Sequence, residues 1–165
     1  MRAKQKGFSL IELLIVVAII LIIAAIAIPN LLRSKMAANE SSAVGSLRSI
    51  NTAEVTYATS YPNTGFSADL PSLGGVAPCT VATTGAACLI DNFLALASSA
   101  ATGKSGYYFT YTPAAAAGGT VNAYTNSALP VTAGTTGQRG FFTDQTGVIR
   151  YAISGAATVA SSPIQ

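Results

Sequence analysis

The sequence predicts an α+β fold: one long N-terminal helix, membrane-spanning in its first half and amphipathic in its second, packed on a small antiparallel β-sheet. Three observations carry that expectation. Every residue from Leu13 to Ile28 is apolar. An apolar stripe at three- and four-residue steps follows as far as Ser60. Beyond Pro62 the chain changes to short β-prone runs separated by Gly, Pro and Asn.

The apolar run comes first. Extending it to Phe8 and Leu32 admits only Ser9, Glu12, Pro29 and Asn30 as exceptions. About 20 such residues in a helix cross a hydrocarbon core of about 30 Å. Arg2, Lys4 and Lys6 precede the run, so the N-terminus is expected in the cytoplasm and everything after residue 33 outside it. Arg33 and Lys35 oppose that bias slightly where the helix leaves the lipid. A cleavable secretory signal is the competing reading, with Ala25-Ile26-Ala27 as its cleavage site. Two features oppose it. The run exceeds the roughly 7–15 residues of such a signal, and Glu12 stands near its start, where a signal core gains nothing from a carboxylate. A carboxylate at mid-bilayer costs about 2.5–3.5 kcal/mol, and less near an interface. Glu12 therefore either reaches back to the headgroups, about one turn from Phe8, or takes a cationic partner. Pro29 removes one helical hydrogen bond and crowds the preceding turn, at a cost of about 3 kcal/mol or more.

The amphipathic half follows. Met36, Ala43, Leu47, Ile50, Glu54 and Tyr57 fall at three-, four- and seven-residue steps, with Val44 and Ala53 alongside. Apart from Glu54 they form one apolar stripe suited to covering a globular domain. Pro62 ends the helix, because a residue before proline disfavours α geometry. From Phe8 to Ser60 such a helix would be about 80 Å long.

In the globular part, Tyr107 to Thr112 is β-prone and bounded by Gly106 and Pro113. Val121 to Thr125 is a weaker strand candidate. Phe141-Phe142-Thr143 and Val148 to Tyr151 flank Asp144-Gln145-Thr146-Gly147, a hairpin with Gly at a positive-φ position. Three or four antiparallel strands are expected in all. Asp91 to Ser99 reads as a short helix with Asp91 as its N-cap. Cys79 and Cys88 lie in a Pro/Gly/Thr-rich stretch. Outside the cytoplasm such a pair is usually oxidised, which would add about 2.5–3 kcal/mol by closing a loop of about ten residues. Two free thiols are the alternative.

Composition excludes several functions. The formal charge of +3 owes much to Arg2, Lys4 and Lys6; without the first seven residues, six basic and six acidic side chains remain. No basic stripe with interleaved aromatics is present, so DNA binding is not indicated. The chain has no His and only two Cys, which removes a His-based triad and a Cys/His metal cluster. Asp69, Asp91 and Asp144 are scattered, with no base or nucleophile set around them. Neither an enzyme nor a cofactor is expected. Residues 62–165 carry only those three acids with Lys104, Arg139 and Arg150 as charged groups, and low net charge favours association.

Lys6-Gly7-Phe8-Ser9-Leu10-Ile11-Glu12, with the apolar run and Pro29, resembles the class III signal of type IV prepilins. Ser9 stands where many members have Thr. The resemblance covers residues 1–35 in detail, and the rest agrees with the pilin fold in architecture. It implies that a prepilin peptidase cuts between Gly7 and Phe8 and methylates the new N-terminus of Phe8. A glycine at that point, lacking a Cβ, leaves the backbone open to close approach. It also implies that Glu12 registers an incoming subunit against the α-amine of its neighbour. An assembly ATPase and a platform protein would drive extrusion, and the backbone before Pro29, about Ala24 to Ile28, would deform in the filament.

The implied organisation is a basic leader (1–7), a transmembrane and filament-core helix (8–32), an amphipathic helix (33–61) and a globular head (62–165). The implied function is that of a structural subunit, anchored in a bacterial inner membrane. It would then polymerise with identical or related subunits into an extracellular pilus for adhesion, motility or DNA uptake. A pseudopilin of a type II secretion system shares the signal. Its major form often holds calcium in its last loops, where this chain has only Asp144 as an acid after Asp91. The central Cys pair also differs from the C-terminal disulfide of many pilins. A membrane-anchored binding module is the third reading. Glu40 and Glu54 are expected to pair with Arg33, Lys35 or Arg48 of neighbouring subunits.

Overall fold

The computed structural model describes residues 7–76, 78–116 and 118–164. The expected roles of Arg2, Lys4 and Lys6 lie outside them. The architecture is the α+β, pilin-like one expected: helix α1 (Leu10–Ser60), a short helix α2 (Asn92–Ala95) and a five-stranded antiparallel sheet. The strands are β1 (Tyr107–Pro113), β2 (Tyr124–Pro130), β3 (Arg139–Asp144), β4 (Arg150–Ile153) and β5 (Ser162–Pro163), in the spatial order β1-β2-β3-β4-β5. The chain divides into two compact units, one up to Lys35 and one from Met36 onward.

In the second unit the predicted stripe is the buried face of α1. Ala43, Leu47, Ile50, Ala53 and Tyr57 are all buried. They meet Tyr107 and Phe109 of β1, Ala128 of β2 and Phe141 of β3, with Leu70, Leu73 and Leu94 closing the core. The helix ends where Pro62 requires: Tyr61 N–H makes a last bond to Tyr57 C=O at 2.8 Å.

Several elements differ from expectation. β2 begins at Tyr124 and runs to Pro130, whereas Val121 makes only an isolated bridge to Gly65. Ser127-Ala128-Leu129 is a weak strand sequence in isolation. It is held by a continuous seven-residue register with β1, a case of pairing overriding propensity. Helix α2 has its cap at Asp91, whose Oδ1 accepts Leu94 N–H at 2.9 Å, but it stops at Ala95 rather than Ser99. The chain there turns away so that Ala97 C=O can accept Phe109 N–H at 2.8 Å, covering the outer edge of β1. The hairpin at Asp144–Gly147 forms as read, with Gly147 at φ +74°. β4 starts at Arg150 rather than Val148. Instead, Ile149 C=O accepts Ile164 N–H at 2.9 Å, bringing in the two-residue strand β5, which has no signal of its own.

Cys79 and Cys88 are disulfide-bonded, with Cα atoms 6.0 Å apart. The loop they close is anchored on both sides. Ala87 and Cys88 N–H donate to Ser72 and Gly74 C=O, and Tyr57 O–H donates to Thr84 C=O at 2.7 Å.

Candidate functional site

The N-terminal segment starts in open surroundings. Among the described residues no atom lies within 4 Å of the Gly7 Cβ position, and Phe8 is 81% exposed. Gly7 and Phe8 both precede the first helical residue, so the peptide between them lies in non-helical backbone. Ser9 is the N-cap of α1. Its N–H donates to Glu12 Oε2 at 2.9 Å, and its C=O accepts Leu13 N–H at 3.3 Å. This is the return arm of a capping box, in which an N3 carboxylate satisfies the N-cap amide. Glu12 thus places its negative charge at the positive end of its own helix dipole. Neither the headgroup nor the external-cation reading anticipated that partner. Its signal was the S-x-x-E spacing of Ser9 and Glu12.

Behind Glu12, every large apolar side chain from Leu10 to Leu32 is between 45% and 75% exposed. At about 25 cal/mol per Å², such a surface is stable in lipid or against other apolar helices and strongly unfavourable in water. α1 runs unbroken through Pro29. The carbonyl of Ala25 nevertheless has no i+4 amide to accept, because residue 29 is proline.

The head is tied to α1 by buried polar contacts, and these overturn one expectation. Glu40 is 7% exposed, and its two oxygens accept Gln138 N–H at 2.9 Å, Arg139 N–H at 3.1 Å and Arg139 Nε–H at 2.8 Å. Glu54 is wholly buried and accepts Ser67 N–H at 3.0 Å and Ser67 Oγ–H at 2.5 Å. Both acids are thus committed inside their own head and are not free to pair with neighbouring subunits. The helical period had placed Glu54 on the buried face, but the partner on a loop 13 residues away carried no sequence signal.

The two carboxyls respond oppositely to their surroundings. Burial pushes Glu40 up, but the Gln138 amide, the Arg139 side chain and amide, and the arginine's charge outweigh it. The carboxyl is held below its usual 4.5. For Glu54, burial dominates over the Ser67 and Tyr111 hydrogen bonds, and no cation offsets it, so its pKa is raised above 4.5. A raised folded-state pKa gives stability that is present below the unfolded value and lost as pH rises through the folded value. In urea unfolding of the detergent-solubilised chain, wild type should therefore lose stability relative to Glu54→Gln as pH rises above 4.5 toward neutrality. Parallel pH profiles for the two proteins would contradict a titrating Glu54.

No group of three or more His, Cys, Asp or Glu converges among the described residues. A cavity of about 600 Å³ opens on the outer face of the sheet, between β2, β3 and Ala157–Val159. Its single charged group is Asp144, which is occupied by Thr146 N–H at 2.9 Å. That lining offers no reacting pair.

Comparison with known proteins agrees with this geometry. Residues 2–28 match the family model for the prokaryotic N-terminal methylation motif. Over 54 residues the chain is 46% identical to the type IV major pilin protein PilA of Myxococcus xanthus, covering 33% of this chain and 24% of that protein. Over 37 residues it is 62% identical to the type IV wide pilus major component PilA4 of Thermus thermophilus, covering 22% of this chain and 28% of that protein. The matches thus span about a quarter of the length of these curated relatives. No solved structure matches the chain.

Proposed function

We propose that this chain, whose N-terminal segment is similar to those of type IV major pilins, is the structural subunit of a type IV pilus. The observation that carries the reading is the conjunction at the start of α1. A Gly7–Phe8 peptide ahead of the helix, a carboxylate at Glu12 and the start of a long, largely exposed apolar surface occur together inside the matched methylation motif. Cleavage before Phe8 would create an α-amine. Glu12 of the same chain already accepts the adjacent Ser9 N–H, and in the packed fibre a neighbour's Glu12 carboxylate is the amine's partner. The residue 8–32 segment waits in the inner membrane with its N-terminus cytoplasmic, and leaves the lipid only by exchanging acyl chains for identical helices. Prepilin peptidase, an assembly ATPase and a platform protein act on it, and the filament serves adhesion, motility or DNA uptake. The chain itself catalyses nothing.

The test is to shear cells that express the chain and examine the released material by electron microscopy and protein identification. Long filaments containing this chain are expected, and they should disappear on its deletion. A short periplasmic fibre with a secretion defect on deletion would point instead to a pseudopilin of a type II secretion system.

A further inference from the structure

A small cleft of about 250 Å³ opens between α1 and the β3–β5 side of the head. Its floor is Val44, Phe141 and Ile164, its rim includes Ser41, and Arg48, Arg139 and the Glu40 carboxylate complete the lining, for one net positive charge. Arg139 is held in place. Its Nε is bound to Glu40, and its guanidinium lies 5.7 and 5.6 Å from the ring centres of Phe141 and Tyr151. Its two terminal nitrogens have no hydrogen-bond partner among the described residues, and Arg48 forms no ion pair there. An apolar floor under two arginines suits a carboxylate carried on a small side chain, since guanidinium groups take carboxylates in a forked geometry.

The acids of the same head narrow the choice of occupant. Glu40 and Glu54 are buried and committed, and Asp91 is paired with Lys104 at 2.8 Å. Asp144 is nearly buried in its turn. Asp69 alone remains both exposed and without an ion pair among the described residues of the head. Its Oδ1 accepts Ser72 N–H at 2.9 Å and Ser72 Oγ–H at 2.5 Å, which fixes the side chain and leaves Oδ2 without a partner. Asp69 sits with exposed Ala68 on the turn before Leu70.

We propose that the Arg48–Arg139 cleft of one subunit receives the Ala68–Asp69 tip of a second copy, with Asp69 Oδ2 on the arginines and the Ala68 methyl on the apolar floor. Cleft and tip are different surfaces of one head, so the contact is heterologous and propagates instead of closing into a dimer, the symmetry a filament needs. The inference rests on the filament reading above and names a head-to-head contact within it.

Cysteines at Ser41 and Ala68 test the contact directly. Sheared filaments of Ser41→Cys/Ala68→Cys, oxidised and run without reductant, should give a ladder of covalent multimers, and each single variant should run as monomer. Filaments of the double variant that stay monomeric would overturn the contact, as would dimers from Ser41→Cys alone. If the double variant does not assemble, charge reversal decides. Arg48→Glu and Asp69→Lys should each reduce filament yield about tenfold by juxtaposing like charges, and their combination should recover most of it. A combination no better than either single variant would overturn the proposal. If the unmodified chain yields no filaments, the proposed function fails, and this contact fails with it.

Discussion

Glu12→Ala is expected to insert into the membrane and be processed normally, yet to yield few or no filaments. The proposed processing would act on the backbone around Gly7 and Phe8, which lies ahead of the helix that carries Glu12. Insertion should improve slightly, because the variant removes an intramembrane carboxylate that costs up to about 3 kcal/mol. What is lost is the only acid in the apolar segment. Without it, the α-amine of a neighbouring Phe8 would enter a low-dielectric filament core unpaired, which is strongly unfavourable. The capping bond to Ser9 adds a second, smaller effect. Alanine leaves that amide unsatisfied, which frays the first turn by about 1 kcal/mol. Glu12→Gln separates the two contributions. It keeps an acceptor for Ser9 but no charge for the amine, so it should assemble as poorly as alanine. The assay is filament yield from sheared cells, with membrane-bound processed subunit measured in parallel. Normal yield from Glu12→Gln would show that charge registration is not the role of this residue.

Glu40→Ala should destabilise the head by about 2 kcal/mol. The alanine leaves Gln138 N–H and Arg139 N–H without acceptors in a part-buried setting, where water reaches them in part and each loss falls toward the lower end of about 1–3 kcal/mol. The Arg139 side chain is 43% exposed and recovers much of its solvation, so the ion pair itself contributes little. The effect is pH-dependent in the opposite sense to that of Glu54. A carboxyl held below its usual 4.5 contributes stability above the unfolded value, and that stability is lost as pH falls through the folded value. Wild type and Glu40→Ala should therefore converge in acid and separate toward neutral pH in urea unfolding. A difference under about 0.5 kcal/mol at pH 7 would mean that water satisfies those amides and that Glu40 is dispensable.

Much of this was legible in the residues because it depends on local patterns. The apolar run, the α1 stripe, Pro62 as a stop, the Asp91 cap and the Gly147 turn each reflect a short-range rule acting within a few residues. The capping of Ser9 by Glu12 is equally local, yet a carboxylate in an apolar run points first to external partners, which hid it. Other features required the third dimension. The seven-residue register of β2 against β1, and β5 paired on β4, are set by neighbours far along the chain. So are the partners of Glu40, which lie 98 and 99 residues away. An acid in an amphipathic helix has the same sequence signature whether it faces a neighbouring molecule or a distant strand of its own. The disulfide stands between these cases: the cysteine pair and the expected compartment suggested it, and only the fold brings the two Cα atoms to 6.0 Å.

Intact-mass and N-terminal analysis of the subunit recovered from sheared filaments bears most directly on the central claim. The account predicts a chain that begins at Phe8, carries one methyl group on its α-amine, and retains Glu12 and the whole apolar segment inside the fibre. A subunit that begins at Met1, or that begins after Ala27 and is recovered as a free soluble domain, would contradict it.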